Sequence, residues 1–278
     1  MHSSSPNLPA ESFTPERLWK ETILTKIQGL VPWAITDKLN RCGNEEIYVA
    51  CADCGRFKTC HFTCNLKFCP CCNWKIARSR AQVLRAWTKR IGQPKHIVLT
   101  ARNEQFITRG SIRKFQKAFA ALRRSKLFRT VSGGCVSVEV TNEGRGWHLH
   151  AHVLANARWI DASLLSLKWG RLVGQDFAIV KVLDARGKDY LNEVTKYVVK
   201  GAQLASWQPE EIAQFILAIR GIRFFATFGE LFNLKAEIKR ELNALKPGPS
   251  ICACGCCKKI VTTEGTSIMQ QLRREQRK

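Results

Sequence analysis

The chain has 278 residues and a mass of 31.5 kDa, and 45% of its residues are hydrophobic, an ordinary proportion for a globular protein. This composition excludes collagen-like, wholly disordered and small disulfide-stapled chains. Its 45 Lys and Arg residues outnumber its 22 Asp and Glu residues, so the formal net charge is +23. That excess favours a polyanionic partner, and nucleic acid is the first candidate.

Apolar runs in the sequence are too short for a membrane span, which needs roughly 20 residues, so we expect no membrane partner. The N-terminal ten residues are rich in Ser and Pro and lack the continuous apolar segment of a secretory signal. We therefore expect a cytoplasmic protein with reduced thiols. In that compartment the 13 cysteines indicate metal binding before disulfides.

Hydrophobic periodicity predicts a mixture of helices and strands. Apolar residues recur at helical spacing from Trp19 to Leu30, and strict alternation over 135–141 indicates a strand with one buried face. The other predicted elements are a basic helix (75–90), a strand (96–100), a helix opened by Ser111, strands over 147–154 and 177–183, a helix over 161–172, and helices from about Asp189 and Pro209.

These elements predict an α+β fold, with a central antiparallel sheet and packed helices, preceded by a cysteine-rich zinc module. We divide the chain into an N-terminal helical segment (1–40), the zinc module (41–75), a catalytic domain (76–245) and a basic, cysteine-containing tail that is partly disordered (246–278).

Three histidines alternate along one predicted strand. His148, His150 and His152 would therefore project from the same face of the sheet. Neutral imidazoles at i and i+2 can bind one divalent cation. Glu139 would add a carboxylate ligand if the register of the hairpin sets it opposite His150, which would also pair Thr141 with His148. A slip of one residue would instead leave Glu139 at the surface.

A second polar group follows at helical spacing. Glu193, Tyr197 and Lys200 stand at i, i+4 and i+7 in a segment whose apolar residues are also helically spaced. On one helix, a carboxylate, a phenol and an ammonium would share a face and address the same substrate. Such spacing is also typical of a solvated helix face, but the histidine strand upstream favours the functional interpretation.

Taken together, these motifs resemble those of rolling-circle replication initiators of the HUH endonuclease superfamily, the plasmid type with one nucleophilic tyrosine. An apolar strand ending in Leu99-Thr100, a Trp-His-x-His-x-His strand from Trp147 and a Glu-x-x-x-Tyr-x-x-Lys segment from Glu193 occur in the family's order. Conjugative relaxases place their tyrosine before the histidine motif, so this order disfavours them.

The resemblance implies an HUH endonuclease-like fold and a role for each motif residue. His150 and His152 fall on the family's metal ligands, Tyr197 on its nucleophile and Glu193 on its water-activating carboxylate; Lys200 falls on a lysine adjacent to the phosphate or metal. His148, the remaining imidazole of the motif, is either a third ligand or a support for the other two. The implied reaction is site-specific nicking and joining of single-stranded origin DNA through a 5′-phosphotyrosyl intermediate, with Mg²⁺ or Mn²⁺. A host helicase and polymerase would be partners.

Cysteines between positions 42 and 72 form a separate metal-binding pattern. Cys51-x2-Cys54 and Cys69-x2-Cys72 have a spacing close to that of structural zinc sites with four thiolate ligands. A second zinc would take its ligands from four further residues: Cys42, Cys60, His61 and Cys64. Cys71 competes for these roles.

Another tight group of cysteines lies near the C-terminus, at Cys252, Cys254, Cys256 and Cys257. We expect this group either to bind metal alone or to close a site with a cysteine from the N-terminal module.

Cations on the predicted basic helix lie on one face, opposite its apolar residues: Lys75, Arg78, Arg85 and Lys89. They could lie along DNA phosphates, and a solvated helix face is the alternative. Four tryptophans could stack on unpaired bases, although burial in the core is the commoner role of this residue: Trp147, Trp159, Trp169 and Trp207.

Two other functions remain open on the sequence. A related HUH transposase would use a second tyrosine, and the other phenol in this region, Tyr190, lies on a poorly matched face. A zinc-containing DNA-binding regulator without catalytic activity would use the histidine strand only as structure.

Overall fold

A computed structural model of the protein describes residues 14–51, 57–186, 190–195, 199–244 and 259–262. The helices of these regions are α1 (Pro15–Ile27), α2 (Trp33–Arg41), α3 (Pro70–Thr88), α4 (Arg109–Arg123), α5 (Ala162–Val173), α6 (Leu191–Val194), α7 (Gly201–Ser206), α8 (Pro209–Ile219) and α9 (Gly229–Ala244). The strands are β1 (Glu46–Cys51), β2 (Phe57–His61), β3 (Pro94–Thr100), β4 (Val131–Asn142), β5 (Trp147–Ala157), β6 (Val180–Asp184), β7 (Phe225–Phe228) and β8 (Lys259–Thr262).

Five antiparallel strands form the larger sheet in the order β6-β3-β5-β4-β7, and a smaller sheet has the order β2-β1-β8. The predicted α+β class, with a central antiparallel sheet and packed helices, is confirmed. Because β5 is the middle strand, the histidines that it carries lie at the centre of the larger sheet.

Apolar side chains pack on both faces of the larger sheet. On one face, Val138 of β4 and Val153 of β5 join a core with residues of α1, α2, α4, α5 and α8. On the other face, Cys135 and Leu154 pack with residues of α3, α6 and α9. We call this second side the α3/α9 face.

The α3/α9 face also carries the polar residues of β4, which the alternating sequence had placed on an exposed surface. Ser137 and Glu139 are buried instead, with 3% and 4% of their surface exposed. Helices α6 and α9 contact β4 on this side. Alternation therefore marked the two faces correctly, but the polar face is a buried site and not a solvated one.

Two helices begin earlier than their patterns predicted. Helix α3 starts at Pro70 and not at Lys75, because proline suits the first turn of a helix. Cys72, the last cysteine of the predicted zinc module, therefore lies in the helix. Helix α4 starts at Arg109 and is capped by Thr108, whose hydroxyl accepts a hydrogen bond from the Ser111 N–H. Ser111 is thus inside the first turn.

The single helix predicted through Glu193, Tyr197 and Lys200 is wrong. Helix α6 ends at Val194. Lys200 has an extended backbone, with φ −69° and ψ 138°, and precedes α7. Glu193 and Lys200 therefore do not share the face of one helix, and Tyr197 lies outside the described residues.

The N-terminal helices and the cysteine-rich segment share one core with the larger sheet. Ile23 of α1, Leu39 of α2 and the thiols Cys42 and Cys69 belong to the same apolar cluster as Ile97 of β3. Across the described ranges, no helix combines the length and the apolar character needed to cross a membrane.

Candidate metal and catalytic sites

Glu139, His150 and His152 meet on the α3/α9 face of the larger sheet. In the β4–β5 hairpin, Glu139 pairs with His150 and Thr141 pairs with His148. This is the register in which Glu139 can act as a metal ligand beside the histidines. One ligand atom from each of the three side chains lies within 4.8 Å of the others, so together they could hold a metal ion. Their strands are the two central ones with the longest pairing, which fixes the three positions.

The carboxylate of Glu139 lies between the two imidazoles, hydrogen-bonded to His150 and within ion-pair distance of His152. His150 Nε2 lies 2.9 Å from Glu139 Oε2, and His152 Nε2 lies 3.4 Å from the same oxygen. Burial alone would raise the pKa of Glu139, but the close contacts and charges of His150 and His152 outweigh it and lower that pKa to about 2. Glu139 is therefore an anion at neutral pH in a nearly closed site.

Within the described residues, two buried nitrogens at this site have no hydrogen-bond partner, His150 Nδ1 and His152 Nε2. Unpaired buried nitrogens are costly, and a bound cation would offset that cost. Two imidazoles and one carboxylate are a donor set that divalent transition metals accept. The residues present therefore fit a divalent cation.

His148 stands beside this group and not in it. Its ring stacks on that of His150, with 5.2 Å between centroids. Burial, and the nearby His150, lower the pKa of His148, which favours a neutral ring at pH 7. Within the described residues, His148 thus matches a supporting position better than that of a third ligand.

His96 of β3 is a member of this site that the sequence motifs missed. Its Nε2 lies 3.1 Å from His152 Nδ1, and the two rings stack with 5.3 Å between centroids. Tyr190 packs on the other side of His96, with 5.1 Å between ring centroids, and its hydroxyl donates to the Asp184 carbonyl. If His152 binds metal through Nε2, its Nδ1 keeps a hydrogen that it can donate to His96. The one available signal was a polar residue at the start of an apolar strand.

Replacing His96 should weaken metal binding without removing a ligand. We expect His96→Ala to lower Mn²⁺ affinity by about 10–100-fold, because the orientation of His152 is lost. Isothermal titration with Mn²⁺ measures this. His61→Ala, an exposed histidine of the smaller sheet, is the control and should bind Mn²⁺ as the parent does. Equal affinity in both variants would contradict the role of His96.

Helix α6, which precedes the predicted nucleophile Tyr197, lies on the same α3/α9 face of the sheet. Val194 of α6 belongs to the same apolar cluster as Cys135 and Leu154, and Thr195 is buried. Tyr197 and the Glu193 side chain are outside what the structure describes. Lys200 is exposed, two residues before Ala202 in α7.

Four thiols converge at a second site: Cys42, Cys64, Cys69 and Cys72. The Cys42 sulfur lies 3.4 Å from that of Cys72 and 3.7 Å from that of Cys69, and the Cys64 and Cys72 sulfurs are 3.6 Å apart. A tetrahedron with Zn–S bonds of 2.3 Å has edges of about 3.8 Å. All four cysteines are free thiols, so these separations suit one zinc ion and no disulfide.

Backbone and side-chain groups around the thiols favour a negative charge there. Hydrogen bonds from the thiols of Cys64, Cys69 and Cys72 lower the pKa of the Cys42 thiol well below its usual range, and the contact with Cys42 raises the pKa of Cys64 and of Cys69. The Cys64 N–H donates to the Cys42 sulfur and the Leu66 N–H donates to the Cys64 sulfur. The Lys20 ammonium, fully buried, donates to the Cys42 carbonyl at 2.9 Å and adds a positive charge close to the thiols.

This group combines cysteines from both predicted zinc sets. Cys69 and Cys72 were expected with Cys51 and Cys54, and Cys42 and Cys64 with Cys60 and His61. The spacing in sequence could not choose the partners, since β1 and β2 separate Cys42 from Cys64. In the described residues, Cys60 and His61 join no such group, and Cys71 donates to the Glu16 carbonyl.

The remaining cysteines lie at the margin of the described residues. Cys51 pairs with Lys259 through the β1–β8 ladder, so the strand that follows the C-terminal cysteine group lies beside β1. The Cys51 side chain, Cys54, and the C-terminal cysteines themselves lie outside what the structure describes: Cys252, Cys254, Cys256 and Cys257.

The four predicted DNA-binding cations of α3 are all exposed: Lys75, Arg78, Arg85 and Lys89. Of the four tryptophans, Trp147, Trp169 and Trp207 are core residues, and their indoles pack on aromatic neighbours. Trp159 is 70% exposed. Stacking on unpaired bases is therefore open to Trp159 but not to the other three.

Comparison with known proteins finds one informative similarity. The chain is 26% identical over 265 residues to "Protein rep" of Lentilactobacillus hilgardii, and the match covers 82% of this chain and 83% of that protein. No protein-family model matches the chain. No solved structure matches it either.

Proposed function

We propose that the protein is a rolling-circle replication initiator of the HUH type, which nicks and rejoins single-stranded DNA at a plasmid origin. The observation that carries this proposal is the convergence of Glu139, His150 and His152 beside the segment that leads to Tyr197. The similarity to a Rep protein over most of both chains supports the replication role.

The chemistry follows from the residues in the motif. The phenol oxygen of Tyr197 attacks the scissile phosphorus, the bond to the 3′ oxygen breaks, and that oxygen takes up a proton. The products are a 5′-phosphotyrosyl protein and a free 3′-hydroxyl, which primes a polymerase. An ordinary phenol has a pKa of about 10 and attacks poorly at neutral pH, so it needs a base or a cation nearby.

Glu139, His150 and His152 are the residues that would hold a Mg²⁺ or Mn²⁺ ion. When bound, that ion supplies positive charge against the charge that develops on the phosphate oxygens. His96 orients His152, and the buried carboxylate of Glu139 keeps His150 in place. Lys200, exposed just before α7, is suited to contact a DNA phosphate.

A single nucleophile is favoured over the two tyrosines of a transposase. The Tyr190 hydroxyl donates to the Asp184 carbonyl, and its ring is buried against His96. Attack by Tyr190 would therefore require breaking both interactions. Its position suits support of the histidines.

Incubation of the protein with end-labelled, single-stranded origin DNA and Mn²⁺ tests the proposal. We expect cleavage and a labelled covalent adduct with the parent, and loss of both with His150→Ala. Arg113→Gln, a change at an exposed site of α4, is the control and should cleave normally. Undiminished cleavage by His150→Ala would remove the metal site from the reaction. A zinc-containing regulator would bind the DNA and leave it uncut.

Glu193 should act in the step that ends the cycle. We expect Glu193→Ala to keep the first cleavage within a fewfold of the parent and to slow hydrolytic release by about 100-fold, the scale of a lost general base. The measurement is the ratio of covalent adduct to released product over time, with Glu193→Gln as a second variant. Equal loss of both steps would contradict this role.

A further inference from the structure

A basic cleft opens on the α3/α9 face, between α3, α9 and the edge strand β7. Its volume is about 330 Å³. Four cations line it, and no carboxylate does: Arg80, Arg223, Lys235 and Lys239. In the part of the chain that the structure describes, none of the four belongs to an ion pair. The cleft is therefore a concentrated positive site.

Two aromatic rings lie among these cations. The Arg80 guanidinium lies over the Phe225 ring, 4.5 Å from its centroid, and the Lys235 ammonium lies 5.1 Å from the centroid of Phe232. Phe232 is 59% exposed. Cations interleaved with accessible rings are typical of surfaces that bind unpaired nucleotides, since the rings stack on bases while the cations neutralise phosphates.

Arg80 is placed against the pattern of its own helix. It lies about 140° around α3 from Lys75, at about 100° per residue, and so falls on the side of Val83 and Trp87. Those two residues pack into the core of the α3/α9 face. A half-buried cation on the apolar side of an amphipathic helix is costly, and burial lowers the pKa of Arg80. The contact with the Phe225 ring offsets part of that cost, and an anionic ligand in the cleft would offset more of it.

Carboxylates of α9 are directed away from the cleft. Glu237 accepts a hydrogen bond from Arg90 at 3.1 Å, and Glu241 also pairs with Arg90. Glu230 accepts from Ser132 at 3.1 Å and from Asn156 at 3.3 Å. The positive charge of the cleft is therefore not neutralised from within its own helix.

The cleft and the histidine site are joined across the sheet. Ser137 of β4 pairs with His152 of β5 on one side and with Phe225 of β7 on the other. Since neighbouring strands lie about 4.8 Å apart, Phe225 and His152 are about 10 Å apart on the same face. A strand of DNA seated in the cleft could continue to the histidines over a short distance.

From this arrangement we propose that the cleft binds the single-stranded DNA that flanks the scissile phosphate. Arg80 and Arg223 contact phosphates close to the sheet, Lys235 and Lys239 contact phosphates at the rim, and Phe232 stacks on a base. This inference rests on the proposed function for the identity of the strand. The surface is distinct from the exposed cations of α3 at Lys75 and its neighbours.

The double variant Lys235→Gln/Lys239→Gln tests the cleft. With a fluorescent 20-nucleotide single strand of origin sequence and no added divalent cation, we expect binding to weaken by about 5–20-fold. Each lost phosphate contact should also lower the slope of log affinity against log salt by about 0.7. Arg113→Gln/Lys117→Gln, with the same charge change and spacing on exposed positions of α4, is the control and should bind as the parent does.

Further variants separate loss of charge from misfolding, and binding of a single strand from binding of a duplex. Lys235→Arg/Lys239→Arg should restore binding, which shows that loss in the Gln variant is due to charge and not to misfolding. Phe232→Ala should weaken binding to the single strand more than to its duplex. Unchanged affinity and salt slope in Lys235→Gln/Lys239→Gln, or equal loss in the α4 control, would overturn the proposal. Because binding is measured without cleavage, the cleft can fail while nicking persists, and nicking can fail while the cleft binds.

Discussion

Tyr197→Phe is expected to abolish the covalent protein–DNA adduct and to lower the rate of nicking by at least about a thousandfold. The change removes only the attacking oxygen, so single-stranded DNA should still bind with about the affinity of the parent. A gel assay for the labelled adduct, with binding measured on the same oligonucleotide, separates the two effects.

The other tyrosines of the chain supply matched controls. Tyr190→Phe removes the hydrogen bond to Asp184 and should cost about 1 kcal/mol of stability, while the adduct still forms. Tyr48 lies on β1 of the smaller sheet, and Tyr48→Phe should change neither the stability nor the formation of the adduct. An adduct that persists in Tyr197→Phe and disappears in Tyr190→Phe would assign the nucleophile to Tyr190 and favour the transposase.

The second large effect concerns the four-thiol group. Cys42→Ser should remove one zinc per chain and lower the free energy of unfolding by at least about 3 kcal/mol, since metal binding to such a site contributes to folding. For a chain of this size that corresponds to a fall in Tm of about 6–12 °C. Elemental mass spectrometry measures the zinc content per chain, and thermal unfolding measures the change in stability.

Cys71→Ser is the matched control for this prediction. Cys71 lies next to Cys72 in α3, but it is half-buried and its sulfur points to the Glu16 carbonyl. We expect Cys71→Ser to keep the zinc content of the parent and nearly all of its stability. Loss of zinc in this variant, with retention in Cys42→Ser, would show that the ligand set is wrong.

Much of the larger sheet could be predicted because its signals are local. Alternation over β4 and β5 indicated their faces, and the structure adopts the hairpin register that opposes Glu139 to His150, one of the two that the sequence left open. Helix α5 also begins where its pattern indicated, with Asp161 as its cap. In each case the residues that decide the structure are close together in sequence.

What the sequence did not predict depends on contacts between distant segments. His96 joins the site because β3 pairs with β5, which no motif around His96 reveals. Cys42, which follows α2, meets Cys69 and Cys72 at the start of α3, and the sequence around Cys42 does not reveal this contact. Strand β7 was not predicted, since four residues are too few for a clear alternation. Helix α9 was not predicted either, and without these two elements the cleft could not be foreseen.

Pairing of β1 with β8 joins positions separated by about two hundred residues. During synthesis, β1 and β2 leave the ribosome about two hundred residues before the third strand of their sheet, β8. The smaller sheet therefore stays incomplete until all of the intervening chain has been made. A truncated product that ends after α9 would expose an unpaired edge at β1, and cells would have a physical basis for degrading it while sparing the full-length protein.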